Sequence, residues 1–278
     1  MDDIIVINDD SRESLHAAEY AFNLACTYNK NIVLANVISS KPAILNAVSR
    51  PKTVPAGFEF PDDDSRDNLA GHLDCLKPAT GHRPTVRTLD ASKFSERELI
   101  AYINAQKTWM IIQGAASDSD VGCVSMRMNM QTILNRILCP VLLVPETAPL
   151  APLERLIYLA DLRYAQVPVL NYLAKVRSGD ESVILAHVCA KGLPELDKAY
   201  AGDLFSNGLS RNAICPNLYF TALREKDFPD VVDAVLHGMQ GDLIVCSNHG
   251  WHFEQLFGSK LSAHIPAYVP VPVLVFPY

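Results

Sequence analysis

The sequence repeats itself, and this internal repeat restricts the fold more than any other feature. A short apolar run that closes on an aspartate opens each copy, as IIVINDD ending at Asp10 and as RLIYLAD ending at Asp161. Asn36 and His187 each follow that aspartate by 26 residues, inside a second apolar run. Two later blocks also recur, WMIIQGAAS with DLIVCSNHG and CPVLLVPE with VPVLVFPY. We therefore predict two copies of one domain.

The copies meet at residues 146–152, ETAPLAP, whose prolines disfavour regular strand pairing. We predict a first domain over residues 1–147 and a second over residues 153–278. The first copy is the longer one, and its excess lies around residues 39–66, which are rich in Pro and Asp. This composition indicates a loop excursion.

Each copy contains five strand-like runs with helical patterns between them. The runs are continuously apolar, which is typical of parallel strands covered by helices on both faces. They lie at residues 4–8, 31–38, 85–89, 109–113 and 141–145, and at residues 155–160, 182–189, 217–223, 242–246 and 271–276. The sequence thus predicts two tandem five-stranded, parallel, doubly wound α/β domains of Rossmann-like type.

Helix signals support this order of elements. Leu15, Ala18, Phe22 and Ala25 recur at helical spacing, and SERE at residues 95–98 has the form of a capping box. In the second copy, DFPD at residues 227–230 predicts a helix start. Asp227 would be its N-cap, and Pro229 would lie in the first turn.

Net charge, apolar runs and cysteine spacing limit the partners, the location and the thiol state of the chain. The formal net charge is −7, so we expect neither nucleic acid nor an anionic membrane surface to bind. No apolar run has membrane-spanning length and the first residues lack the pattern of a secretory signal, so we expect a cytoplasmic protein. Seven scattered cysteines without a CxxC pair favour reduced, mostly buried thiols.

Several polar residues are candidates for chemistry, each with a simpler structural interpretation. Asp10 and Asp161 end strands where open α/β sheets bind ligands, but aspartate there also caps the following turn. His249 and His252 could begin a metal site, yet no further ligand is evident, so we expect solvent-facing or loop-packing histidines. His187 fits a hydrogen-bonded histidine at a strand end. No catalytic motif is found, and we predict neither a catalytic residue nor a metal site.

The stretch SNHGWHFEQLFGSKLS, residues 247–262, leaves two interpretations open. Gly250 could let the backbone turn around a ligand, while Gly258 and Ser259 could begin a helix whose free N–H groups face an anion, beside Lys260. Alternatively, Gly258 allows a tight turn and Ser259 caps a short helix.

Taken together, these blocks resemble the universal stress protein family in its tandem two-domain form, over nearly the whole chain. Family members share a Rossmann-like fold similar to that of adenine nucleotide alpha hydrolases, and they pair through the last strand. The resemblance implies that the two halves form a pseudo-twofold pair, and it allows a homodimer of tandem chains. Members that bind ATP carry a loop of the form G-x2-G-x9-G-[S/T], which the second copy matches with Ser in place of the first Gly and a spacer of seven residues.

The resemblance assigns a nucleotide site to the second copy. Asp161 would meet the adenosine, and Val188 would offer backbone contacts to the base. The ribose and the phosphates, with Mg²⁺, would be held by Ser247, Gly250, Gly258 and Ser259. The first copy lacks the Gly-Ser step, and Asp118 and Asp120 would repel a triphosphate. We expect the first copy to be a structural partner or a regulatory surface.

The sequence therefore favours a stress-linked binding or regulatory protein, with ATP as its candidate ligand and no robust turnover. Two alternatives remain open. One is a weak ATP hydrolase or nucleotidyl-transfer enzyme that uses Mg²⁺ at the Gly258 loop. The other is a purely structural interaction module in which both sites have lost the nucleotide.

Overall fold

Ten strands form the centre of the molecule. The computed structural model describes residues 2–37, 65–78, 81–115, 133–176, 179, 181–189, 192–224, 227–248, 251–257 and 265–277. All ten predicted strands are present, with ends that shift by two residues at most. They are β1 Asp3–Asn8, β2 Asn31–Asn36, β3 Val86–Asp90, β4 Thr108–Ala115, β5 Val141–Pro145, β6 Arg155–Ala160, β7 Ser182–Val188, β8 Leu218–Leu223, β9 Leu243–Ser247 and β10 Val273–Phe276.

These strands form a single sheet in the order β3-β2-β1-β4-β5-β10-β9-β6-β7-β8. Neighbouring strands run parallel within β1 to β5 and within β6 to β10, whereas β5 and β10 pair antiparallel. The fold prediction of two doubly wound α/β units is confirmed. The two edge strands, β3 and β8, are the most exposed, as expected for strands with one neighbour.

Helices cover both faces of the sheet. They are α1 Arg12–Tyr28, α2 Ser65–Cys75, α3 Glu96–Ala105, α4 Val167–Lys175, α5 Lys198–Asp203, α6 Phe228–Asp233 and α7 Trp251–Phe257. Helices α5 and α6 continue as π-helical turns over Leu204–Ser210 and Ala234–Gly238. None of the helices in the described residues has the length and apolar content needed to cross a membrane. Most of the predicted loop excursion at residues 39–66 lies outside the described residues. Its last two residues, from Ser65, belong to the start of α2.

Helix starts follow the predicted capping chemistry in part. The capping box before α3 is confirmed, since the Ser95 side chain accepts from the Glu98 backbone and Glu98 reaches back to the Ser95 N–H. Asp227 lies at the N-cap of α6, with proline in the first turn, but its side chain makes no capping hydrogen bond. Leu15 of α1 faces outward and is 42% exposed.

The hydrophobic core consists of two layers, one on each face of the sheet. Successive residues of a strand alternate between them, as Val6 and Ile7 do. One layer packs under α1, α2, α4 and α5, and the other packs under α3, α6 and α7. Both layers contain residues from β1 to β5 and from β6 to β10. The two halves therefore share a continuous core.

The two halves meet across a pseudo-twofold axis at β5 and β10. Leu142 pairs with Leu274, and these residues occupy the same place in the repeated blocks CPVLLVPE and VPVLVFPY. On either side of them, Leu143 pairs with Val273 and Val141 pairs with Val275. Such a self-complementary arrangement is that of a C2 interface. The pairing of the halves through their last strands agrees with the expectation from the family resemblance.

Strand register corrects the alignment of the two copies at one point. Asn8 of β1 pairs with Asn36, whereas Ala160 of β6 pairs with His187. Because Asn36 and His187 occupy equivalent places, the counterpart of Asp161 is Asp9 and not Asp10. The gapless match in the sequence was wrong by one residue, since the first copy has one more residue between these strands.

Candidate functional site

The described members of the predicted site converge on one edge of the sheet. Asp161 follows β6, Val188 ends β7 and Ser247 ends β9. These three strands are neighbours in the order β9-β6-β7 and run parallel, so their carboxyl ends lie side by side. From β6 the chain adds β7 and β8 on one side and then β9 and β10 on the other. This reversal of strand order makes the edge a switch point, where open α/β sheets bind ligands. Gly250, Gly258 and Ser259 lie outside the described residues.

The Asp161 carboxylate is buried and is held by Arg163. Asp161 is 3% exposed. Its Oδ1 accepts from the Arg163 backbone N–H at 3.1 Å and from Arg163 Nε at 2.8 Å, and its Oδ2 accepts from Nη2 at 2.7 Å. Asp161 thus caps the turn Leu162–Tyr164 and also forms a two-pronged ion pair. The hydrogen bond and the charge of Asp161 raise the pKa of Arg163 above its usual value.

The Val188 carbonyl, the predicted contact to a nucleobase, faces a histidine. Nε2 of His252 in α7 lies 2.9 Å from this oxygen, and His252 is 4% exposed. Burial lowers the pKa of His252 to about 4, so the ring is neutral at pH 7. A neutral ring at this distance from a carbonyl donates its Nε2 proton. His252 is therefore packed against β7, and it lies in a helix and not in the loop where the sequence analysis expected it.

Two further polar groups complete this edge. His187 is buried, and its Nδ1 accepts the Leu162 backbone N–H at 3.1 Å, which confirms the prediction of a hydrogen-bonded histidine at a strand end. Burial lowers the pKa of His187. The Tyr158 hydroxyl lies 3.4 Å from Ser247 Oγ and accepts the Gln166 N–H at 3.3 Å. Asp161 and Arg163 thus supply the charges, surrounded by neutral groups.

The corresponding edge of the first half is built differently. The Asn8 side chain is buried and links Asn36 at 2.8 Å, Asp10 at 3.1 Å and Ser14 at 3.0 Å. Asp9 accepts from the Ser11 backbone N–H and hydroxyl, and Ser11 is the N-cap of α1, so Asp9 supports the capping residue. Asp118 and Asp120 lie outside the described residues.

Glycine packing shows how tightly the first half closes at this edge. A Cβ added to Gly114, the counterpart of Ser247, would lie 2.3 Å from the backbone carbon of Glu13 and 2.7 Å from the Ser14 nitrogen. The first turn of α1 therefore rests directly on the end of β4. This contact leaves no space for a ligand between the two backbones.

Metal ligation finds no support in the part of the chain that the structure describes. No group of three or more His, Cys, Asp or Glu side chains there could hold an ion. His249 lies outside that part. The thiols of Cys26, Cys139 and Cys246 are buried.

The sequence did not indicate three side-chain contacts at this edge, those of Arg163, His252 and Asn248. Arg163 had a weak signal, because an arginine two residues after a strand-end aspartate can fold back on it. The contact of His252 with Val188 joins residues 64 positions apart and had no local signal. Asn248 Nδ2 donates to Asn135 Oδ1 of the first half at 2.9 Å, which no repeat pattern could indicate.

Fold and site together define a class. The molecule is a tandem pair of doubly wound α/β units joined through their fifth strands, with polar groups collected at the switch point of the second unit. Within this class, the sequence profile of the universal stress protein family matches residues 1–145. The chain belongs to the universal stress protein family. No protein with a curated description matches it significantly.

Solved structures resemble the chain over its full length. A universal stress protein from Archaeoglobus fulgidus is 16% identical with a TM-score of 0.55, and the alignment covers 98% of this chain and 97% of that one. A protein of unknown function from Pseudomonas aeruginosa is 13% identical with a TM-score of 0.47, covering 99% and 92%. At this identity, the likeness to the Archaeoglobus protein supports the tandem fold alone.

Proposed function

We propose that this chain is a stress-linked binding or regulatory protein without robust turnover, and that its second half holds an adenine nucleotide. The convergence of Asp161, Val188 and Ser247 on the carboxyl ends of three adjacent strands carries the proposal. Open α/β sheets bind their ligands at this position. Gly250, Gly258 and Ser259 remain predicted contacts to the phosphates and Mg²⁺.

The polarity of the site suits the adenosine part of such a ligand. Asp161 presents a carboxylate and Val188 a carbonyl, and both accept hydrogen bonds. The ribose hydroxyls and the exocyclic amine of adenine are donors. In the first half, the first turn of α1 packs directly on Gly114, the counterpart of Ser247. These observations support a single nucleotide site per chain.

The absence of turnover is part of the proposal. Phosphoryl transfer requires a positioned base and carboxylates that hold the metal. At this edge the Asp161 carboxylate is the expected partner of the adenosine and not of the metal, and His187 Nδ1 accepts a backbone N–H. Such an arrangement suits binding more than catalysis.

Ligand-induced stabilisation tests the proposal. The intact chain is titrated with Mg-ATP while its melting temperature is measured, and the temperature should rise as ATP exceeds its dissociation constant. Ser247→Trp should abolish the rise by filling the space above β9, whereas Ser247→Ala should preserve it. The proposal fails if neither these three proteins nor the variants Arg163→Met and His252→Ala show a rise at millimolar ATP.

Turnover is measured on the same samples. The proposal expects phosphate release no greater than that of a protein-free blank. Release that survives repurification and disappears in Ser247→Trp but not in Ser247→Ala would instead establish the hydrolase alternative.

A further inference from the structure

We infer that the second-half site is closed by the chain's own side chains, and that Arg163 and His252 must leave their partners before a nucleotide can bind. This inference rests on the proposed function and adds its regulation. Its basis is that the two acceptors expected to meet adenosine already receive protein donors. Arg163 donates to Asp161, and His252 donates to Val188.

The Arg163 guanidinium makes the hydrogen bonds to Asp161 that a ribose would make. Two neighbouring hydroxyls of a ribose offer two donors to one carboxylate, and Nε with Nη2 offer two donors to the same oxygens at 2.8 and 2.7 Å. The guanidinium also reaches Cys189 Sγ at 3.3 Å, so it spans the ends of β6 and β7. Since the Asp161 side chain is 2% exposed, a ligand cannot reach it while Arg163 stays in place.

The His252 contact mimics the exocyclic amine of adenine. A planar, neutral, aromatic donor lies 2.9 Å from the Val188 carbonyl, and α7 carries it. The neighbouring Phe253 and Leu256 anchor α7 in the core, so the ring is fixed and does not sample solvent freely. Adenine would need the same oxygen, and therefore competes with the ring.

The two contacts form one cluster. His187 bonds to the backbone of Leu162, which lies between Asp161 and Arg163, and it is also the residue before Val188. His252 lies close enough to His187 and Asp161 for their charges to act on its pKa. When the binding-competent state is a minor population, the apparent dissociation constant rises by the inverse of that population. Removal of either donor should therefore tighten binding.

Two variants test the closure in the intact protein. Arg163→Met keeps an unbranched apolar side chain but removes the guanidinium, and His252→Ala removes the imidazole. The matched control is Arg155→Met, because Arg155 lies at the opposite end of β6, where it donates to Met239 O. Circular dichroism and melting temperature confirm folding first, and either variant decides the matter if the other fails to fold.

The probes are Mg-ATP, adenosine and inorganic tripolyphosphate, measured by calorimetry. We expect Arg163→Met and His252→Ala to bind adenosine and Mg-ATP about tenfold more tightly than the unmodified chain, with tripolyphosphate unchanged. Arg155→Met should match the unmodified chain. A general loosening of the fold would not favour adenosine over tripolyphosphate.

The outcomes distinguish the closure of the site from the proposed nucleotide binding. If the unmodified chain binds Mg-ATP as tightly as both variants or more tightly, the closure is overturned and the proposed function stands. If neither the chain nor any variant binds Mg-ATP or adenosine, the proposed function fails and the closure with it. Imidazole NMR adds a direct reading, since the His252 Nε2 proton should exchange slowly in the free protein and rapidly at saturating ATP.

Discussion

At the scale of single residues, burial determines the charge state of the site. His252 and His187 are enclosed between β7 and the elements that pack on its end, and both have lowered pKa values. The Asp161 charge acts to raise both pKa values, but desolvation is the larger effect at each ring. A neutral imidazole offers one donor and one acceptor. Here His252 donates to the Val188 carbonyl and His187 accepts the Leu162 N–H.

The first prediction concerns the stability of the chain at acidic pH. Because the folded pKa of His252 is about 4 and that of an unfolded histidine is about 6.5, the unfolded chain binds more protons between these pH values. The contribution of neutral, buried His252 to the free energy of unfolding is therefore complete above pH 6.5 and is lost as the pH falls toward 4. The free energy of unfolding should drop by up to roughly 3 kcal/mol over this range, as measured by urea denaturation.

His252→Gln isolates this contribution, since glutamine keeps an amide donor and does not titrate. The difference in unfolding free energy between the two proteins should shrink as the pH falls from 6.5 to 4. A difference that stays constant over this range would show that His252 titrates normally in the folded chain.

A second prediction at this scale concerns Gly114. Its missing side chain lets the backbone of Glu13 approach, and that backbone cannot move without shifting α1. Gly114→Ala should lower the free energy of unfolding by about 2 kcal/mol, measured by denaturant titration. Gly71→Ala is the control, because a Cβ at Gly71 in α2 meets nothing within 4 Å and should stabilise the helix slightly. Equal effects of the two substitutions would contradict the close contact.

At the scale of elements, the two halves use different chemistry at equivalent helix starts. Before α3, Ser95 and Glu98 exchange hydrogen bonds, which lowers the pKa of Glu98. Before α6, Asp227 occupies the N-cap without a side-chain bond, and the first turn relies on Pro229. Proline presets the helical φ and removes one unpaired N–H, so a cap is less needed there.

This difference gives a third prediction. Ser95→Ala should lower the free energy of unfolding by about 1 kcal/mol, whereas Asp227→Ala should have less than half that effect. Thermal denaturation of both variants alongside the unmodified chain measures the two effects. A larger loss for Asp227→Ala would reveal a capping bond that forms in solution.

The elements were largely predictable because buried parallel strands leave a clear pattern. Each of the central strands is a continuous apolar run, and every one was located from the sequence. The π-helical turns Leu204–Ser210 and Ala234–Gly238 were not, because a one-residue insertion in a helix leaves the apolar pattern nearly unchanged. The register error at Asp10 has a related origin, since two adjacent aspartates close this run and Asp10, not Asp9, gives a match without a gap.

The strand ends could be predicted from the sequence, but the side-chain contacts between them could not. Asp161, Val188 and Ser247, which the family resemblance assigned to one site, lie at neighbouring strand ends. What fills the space between them depends on Arg163 and His252, whose side-chain directions follow from tertiary packing. Neither periodicity nor spacing contains that information.

At the scale of the whole molecule, the pairing of β5 with β10 makes one body from two copies. The residues on either side of the axis are equivalent, and both core layers continue across it. The Tyr172 hydroxyl of α4 also donates to the Trp109 carbonyl of β4 at 2.9 Å, which ties the halves on one face. Burial raises the pKa of Tyr172 well above its usual value, so this donor stays protonated.

The fourth prediction follows from this symmetry. Residues 1–147 expressed alone would expose β5, and because the contact is self-complementary, two copies should pair through Leu142 as β5 and β10 do. Native mass spectrometry should show a dimer, and addition of residues 153–278 should convert it to a one-to-one complex. A monomeric fragment would contradict the prediction and also the predicted boundary between the halves.

The antiparallel junction also sets which way each half faces. Because every strand of one half runs opposite to every strand of the other, their carboxyl ends emerge at opposite margins of the sheet. Beyond Ser247, the second half thus meets the back of the first, where Asn248 bonds to Asn135. The first half therefore borders the edge at which we propose that the second half binds its nucleotide. Removal of the first half would expose that edge, even if only the second half contacts the ligand.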